Sequence, residues 1–181
     1  DILDNVRMLH DAYGLACLRR AVQITREGLV EGLRAARPGM TEKQGMETID
    51  FVYRYRGATL GFPTAFRKMS MSGRRQERSV PEGYIQFVPR STANVFESGD
   101  MIHTDTGAAF QLYSADVQRS MPVDGKFTAE QRRLYEITLN VQKTVISKIK
   151  PGVTWWELHN LAVKMLKEAG GYDEYYTYGI V

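Results

Sequence analysis

The feature that most narrows what this chain can fold into is a passage written twice. Residues 19–44, RRAVQITREGLVEGLRAARPGMTEKQ, align without gaps on residues 132–157, RRLYEITLNVQKTVISKIKPGVTWWE, at a constant offset of 113 positions. Arg19-Arg20 meets Arg132-Arg133, Ile24-Thr25 meets Ile137-Thr138, Pro38-Gly39 meets Pro151-Gly152, and Thr41 meets Thr154. In each copy a long helical run stops where proline cannot continue a helix and glycine frees the turn. A threonine then opens a second helix, with Gln44 or Glu157 three residues on as its capping-box partner. Helix, break and capped helix written twice predict a duplicated α+β half.

In the first copy the spacing of Leu15, Leu18, Val22, Leu29 and Leu33 predicts the buried face of the first helix. The second helix is expected to carry Met46, Ile49, Val52 and Tyr53 inward and to stop at Gly57. Between the copies, roughly 60–123, the chain is β-rich. PEGYIQFVP at 81–89 and MIHTDTG at 101–107 have strand-like content, and ESGD at 97–100 is a turn. A hairpin turn centred between Phe110 and Gln111 would set Asp105 directly opposite Asp116, because opposed residues of an antiparallel pair share a face.

Composition excludes several classes. The 181 residues are 43% apolar and 25% charged, as in an ordinary globular domain. The formal charge of +3 spreads 24 basic residues among 21 acids. One basic run, RRQER at 74–78, reads as a solvated loop, so no nucleic-acid partner is expected. No window of 18 apolar residues exists to cross a membrane. A single cysteine, Cys17, excludes an intrachain disulfide. A cytoplasmic location is expected, although the chain opens on DILDNVR rather than Met and so reads as an excerpt.

Three readings compete for the two aspartates in HTDTGAAFQLYSAD, residues 103–116. Asp105-Thr106-Gly107-Ala108 matches the active-site loop of aspartic peptidases, but those are almost wholly β and this chain is rich in capped helices. The pair can instead be ordinary surface carboxylates, or ligands of a metal.

The wider constellation bears on that choice. ESGDMIHTDTGAAFQLYSADVQRSMPVDGKFTAEQRRLYE resembles the metal-binding core of the pita-bread metallopeptidases, the aminopeptidase P, prolidase and creatinase-like branch. The resemblance is carried by Gly99-Asp100, Asp105, Gly107, Tyr113, Asp116, Val117, Arg119, Ser120, Pro122 and Gly125 through Thr128, with RPGMTE at 37–42 upstream. It implies an α+β pita-bread fold with an internal pseudo-two-fold repeat whose second half is incomplete. The first half would span about 13–123 and the start of the second about 128–181. In that family two Asp, a His and two Glu hold two divalent ions, usually manganese, with cobalt or zinc as alternatives. Asp105 and Asp116 map onto the first two ligands. Hard oxygen donors suit such ions, and a bridged pair activates water and polarises a carbonyl.

The resemblance further implies a Xaa-Pro aminopeptidase or dipeptidase acting on peptides with proline second. The rival is a non-catalytic pita-bread module that binds peptides or proteins. The remaining His and Glu ligands would belong to the second β half. The nearest approach to the family's His-Gly landmark is Tyr178-Gly179, and no histidine stands near Gln86–Val88. No catalytic or substrate-binding side chain is therefore assigned within these residues, and the segment alone is expected to be inactive. Uncovered apolar helix surface predicts self-association, as a homo-oligomer such as a dimer.

The other candidates have structural expectations. His10 reads as surface and His159 as a structural helix residue. His103 shares a strand face with Asp105 and is expected to be a hydrogen-bonded core histidine. Arg119 is expected to pair with acids near the site, and Trp155-Trp156 to anchor core packing.

Overall fold

Asp11 opens the first helix by accepting the Gly14 amide at 2.7 Å, and α1 then runs Ala12–Ala35. The computed structural model describes residues 9–69 and 94–175, so PEGYIQFVP, RRQER and Tyr178-Gly179 lie outside the described residues. The chain divides into two compact units, Asp1–Lys126 and Phe127–Val181.

The buried face of α1 differs from the leucine pattern. Leu15 and Val22 are exposed, whereas Gly14, Cys17, Ala21, Ile24, Thr25, Gly28, Leu29 and Gly32 are buried. The cause is the close approach of α2, Glu42–Tyr55. A Cβ on Gly32 would lie 2.5 Å from Ile49 Cγ1, and one on Gly28 would overlap the Tyr53 ring. α2 supplies the bulk and α1 the hollows, so a pattern that counts only large residues misses this face.

A reciprocal capping box starts α2. Gln44 N donates to Thr41 Oγ1 at 3.2 Å, and Thr41 N to Gln44 Oε1 at 2.9 Å. Ile49 and Tyr53 are fully buried and Met46 packs against the same core. Glu42, in the first turn, is also buried. Its carboxylate accepts the Lys68 amide at 2.7 Å and Asn94 Nδ2 at 3.0 Å.

Six strands follow among the described residues: β1 Thr59–Leu60, β2 Ala65–Met69, β3 Met101–Thr106, β4 Ala108–Phe110, β5 Tyr113–Ser114 and β6 Val117–Pro122. They form two antiparallel sheets, ordered β1-β4-β5 and β2-β3-β6. β3 is central in the second. Its residues Ile102, Thr104 and Thr106 turn toward the core with Phe66 and Phe96, and His103 and Asp105 point to the other face.

A buried chain of hydroxyls joins α2 to the end of β3. Thr64 Oγ1 donates to Asp50 at 2.6 Å, contacts Thr106 Oγ1 at 2.9 Å, and Thr106 contacts the Tyr53 hydroxyl at 2.8 Å. Burial pushes the Tyr53 hydroxyl up to about 12, so it stays protonated and able to donate. Tyr53→Phe removes one donor from a buried site and should cost about 1–2 kcal/mol in urea unfolding.

The second unit repeats the helix pair. Its helices are α3, Ala129–Lys148, and α4, Trp155–Glu168, with capping boxes Thr128/Gln131 and Thr154/Glu157. Its core is Val141, Val145, Leu158, Ala162 and Leu166. At the 113-residue offset, Val141 and Val145 replace Gly28 and Gly32, and Ala162 and Leu166 replace Ile49 and Tyr53. The helix interface keeps its register while bulk moves from the second helix to the first. Trp155 and Trp156 do not anchor this core: they are 74% and 68% exposed. The first turn of α4 turns them outward, and Trp156 stacks on His159 at 5.4 Å.

Candidate metal centre

Asp105 occupies the penultimate position of β3, on the face turned away from the core. Its Cα partners are Ala65 on β2 and Gln118 on β6. Its Oδ2 accepts Gln118 Nε2 at 3.1 Å. Asp116 follows Ala115, whose amide donates to the Ala108 carbonyl at 3.0 Å, and immediately precedes β6.

The predicted register is therefore corrected. The β4–β5 turn is made by Gln111 and Leu112, with φ of 51° and 68°, and Phe110 pairs with Tyr113. Both residues take the left-handed conformation of a type I′ turn. The turn is centred one residue later than the sequence suggested, so Asp105 faces Gln118, and Asp116 lies between strands. Gln-Leu carries none of the Asn-Gly chemistry that marks such a turn, which is why the sequence misplaced it.

The two carboxylates still feel one another. Burial pushes the Asp116 carboxyl above its usual range, and the Asp105 charge pushes it further. Gly107 lets the segment before Asp116 close on the end of β3: a Cβ there would overlap the Ala115 carbonyl oxygen. The sequence offered Gly107 only as a motif match, and the close backbone contact supplies its physical reason.

His103 is half-buried, with Arg67 and Ser120 as cross-strand partners. Burial lowers its pKa, the Asp105 charge opposes that, and Arg67 reinforces it. Among the described residues it makes no hydrogen bond, so the expectation of a bonded core histidine finds no support among them. Arg119 is also corrected. It pairs in register with Thr104, on the sheet face opposite Asp105, and donates to the Gln118 carbonyl at 2.6 Å. Among the described residues it meets no acid.

Two coupled carboxylates fit a hard divalent cation, whose charge would offset their repulsion. Among the described residues no three His, Cys, Asp or Glu side chains come together as a metal cage.

The electrostatics predict a pH dependence. A carboxyl raised in the folded state costs stability when ionised. That cost is present above the folded pKa and is relieved as pH falls through it. Asp116→Asn should therefore stabilise the metal-free chain at pH 7, by less than about 1 kcal/mol because the group is solvated. Thermal unfolding of both proteins should converge as the pH is lowered.

Comparison with known proteins identifies the family of the chain. The model of metallopeptidase family M24 matches residues 16–181. A Xaa-Pro dipeptidase of Pyrococcus furiosus is 26% identical over 180 residues, which are 99% of this chain and 48% of that protein. A probable Xaa-Pro aminopeptidase of Botryotinia fuckeliana is 25% identical over 174 residues, covering 93% of this chain and 34% of that protein. Among solved structures, the X-Pro aminopeptidase of Thermotoga maritima superposes with a TM-score of 0.80 at 27% identity, over 96% of this chain and 46% of that one. The chain thus spans about half the length of these relatives or less, and its architecture is the α+β pita-bread fold. It belongs to metallopeptidase family M24.

Proposed function

We propose that this segment is the first part of a Xaa-Pro peptidase catalytic domain, in which Asp105 and Asp116 are two ligands of a dinuclear divalent-metal centre. Manganese is the preferred ion, with cobalt or zinc as alternatives. The reading is carried by one observation: the match to metallopeptidase family M24 over residues 16–181 includes Asp105 on the open face of β3 and Asp116 immediately before β6. The family's Xaa-Pro hydrolases supply the reaction class. The first structural half is assigned to about 13–123 and the start of the second to about 128–181.

Bound divalent ions supply an activated water and a Lewis acid for the scissile carbonyl. The chain's own residues contribute the scaffold. β3 holds Asp105 on the open face of its sheet, Gln118 orients one of its oxygens, and Gly107 lets Asp116 approach. The substrate proposed is a peptide with proline in second position.

The test compares this chain with a version extended to the length of its relatives, assayed on Xaa-Pro peptides with added manganese. The 181 residues alone should show no turnover, and the extended form should cleave and lose activity to a chelator. Turnover by the 181-residue chain itself would contradict this division of the site. Peptide binding without cleavage by the extended form would instead support a non-catalytic binding module.

A further inference from the structure

Asp50 is a carboxylate on the buried face of α2, only 6% exposed, between the fully buried Ile49 and Tyr53. Burying such a group is costly unless hydrogen bonds compensate it. The helix pair itself does not require it. At the 113-residue offset the second pair carries Val163 for Asp50 and Leu166 for Tyr53, and it packs through Ala162 and Leu166. The buried acid belongs to the copy that leads into Asp105 and Asp116.

The carboxylate fixes the proton order of the hydroxyls joined to it. Each hydroxyl has a single proton. Thr64 gives its own to Asp50 Oδ1 at 2.6 Å, so the 2.9 Å bond between Thr64 and Thr106 is donated by Thr106. Thr106 then has no proton left, and the 2.8 Å bond to Tyr53 is donated by the phenol. All three protons point toward Asp50. Burial keeps the phenol protonated, and the Asp50 charge adds to that effect.

These bonds meet the strand that presents Asp105. The β2–β3 ladder finishes with Ala65 opposite Asp105. One step further along, where β3 would come free of β2, a bond between the Thr64 and Thr106 hydroxyls takes the place of the ladder. Thr106 turns to the core and its neighbour Asp105 to the open face, so holding one sets the direction of the other. The residues that follow are also tied, by Gly61 N to Gly107 O at 2.8 Å and Ala108 N to Thr25 Oγ1 at 2.9 Å.

We propose that Asp50 is a positioning residue for Asp105, acting through Thr64 and Thr106 to hold the end of β3 while Asp105 faces the Asp116 charge or a cation. The part played toward a cation rests on the reading of Asp105 as a metal ligand. The positioning itself is measurable without metal, because Asp105 Oδ2 accepts Gln118 Nε2 at 3.1 Å and the Gln118 amide therefore reports where the carboxylate points.

The experiment follows the Gln118 side-chain amide by nuclear magnetic resonance in the metal-free chain, and manganese affinity by electron paramagnetic resonance, in variants with intact helical circular dichroism. Thr64→Val keeps the side chain's shape and removes the link. It should move the Gln118 amide toward the position of an unbonded glutamine and weaken manganese binding about tenfold or more, as losing an outer partner of a metal ligand typically does. Asp50→Asn should move both signals the same way, since an amide offers Thr64 a proton as readily as it accepts one and no longer fixes the order. Thr64→Ser, which keeps the hydroxyl, should restore both. Tyr53→Phe destabilises the unit but leaves Thr106 donating to Thr64, so both signals should stay close to those of the unaltered chain. A Gln118 amide unmoved by Thr64→Val and by Asp50→Asn would overturn the proposal. So would an equal shift in Tyr53→Phe, which would show lost stability rather than lost position. An unaltered chain that binds no manganese would overturn the ligand reading alone, and the amide would still decide the positioning.

Discussion

Gly107→Ala should destabilise the first unit by about 3 kcal/mol or more and remove whatever cation affinity the aspartates have. The added Cβ would fall on the Ala115 carbonyl oxygen, a backbone atom that no rotamer change can move. The Ala115 amide is itself bonded to the Ala108 carbonyl at 3.0 Å, so relief requires separating β3 and β4 from the turn that leads into β6. Overpacking in a site that cannot relax typically costs 1–3 kcal/mol, and more when backbone must shift. The displacement would also carry Asp116 away from Asp105. Urea unfolding measures the first effect and cation titration the second. Gly99→Ala is the comparison: it has φ of 90° but open space around it, so it should cost the strain of a left-handed backbone and leave cation binding alone.

How far the sequence foretold this structure depends on what kind of signal each element carries. The helices were legible because their ends are chemical: Thr41 with Gln44, Thr154 with Glu157, and the two Pro-Gly breaks fall where the capping rules put them. The β3 strand was legible through its alternation, which puts His103 and Asp105 on one face. The packing face of α1 was not, because Gly28 and Gly32 owe their burial to Tyr53 and Ile49 on another helix. The hairpin register was not, because Gln111 and Leu112 adopt a turn that their own side chains do not favour. The exposure of Trp155 and Trp156, against the expectation that they anchor core packing, follows from their position in the first turn of α4. The aspartates themselves were found from their motif, and their mutual influence became visible only once the strands were in place.

The second large effect concerns both carboxylates. In a form extended to the length of the relatives, Asp105→Asn and Asp116→Asn should each lower kcat/KM by about a thousandfold or more. On the proposed reading, each removes a charged ligand from a centre whose electrostatic contribution is worth several kcal/mol. The two asparagine variants should fold, since among the described residues Asp105 accepts only from Gln118 and Asp116 loses a charge that the fold raises in pKa. The double variant should be scarcely worse than either single one, because both losses disable the same centre. Losses that instead multiply would show that the two residues act separately.

The most direct measurement of the central claim is a manganese titration of this chain followed by electron paramagnetic resonance of the free ion. Two carboxylates without the rest of a coordination sphere should bind weakly, and binding should vanish in Asp105→Asn and in Asp116→Asn alike, while Asp124→Asn, a surface carboxylate that caps the Ser98-Gly99 turn, leaves it unchanged. Manganese binding that survives both substitutions, or that is lost with only one of them, would contradict a shared site at Asp105 and Asp116.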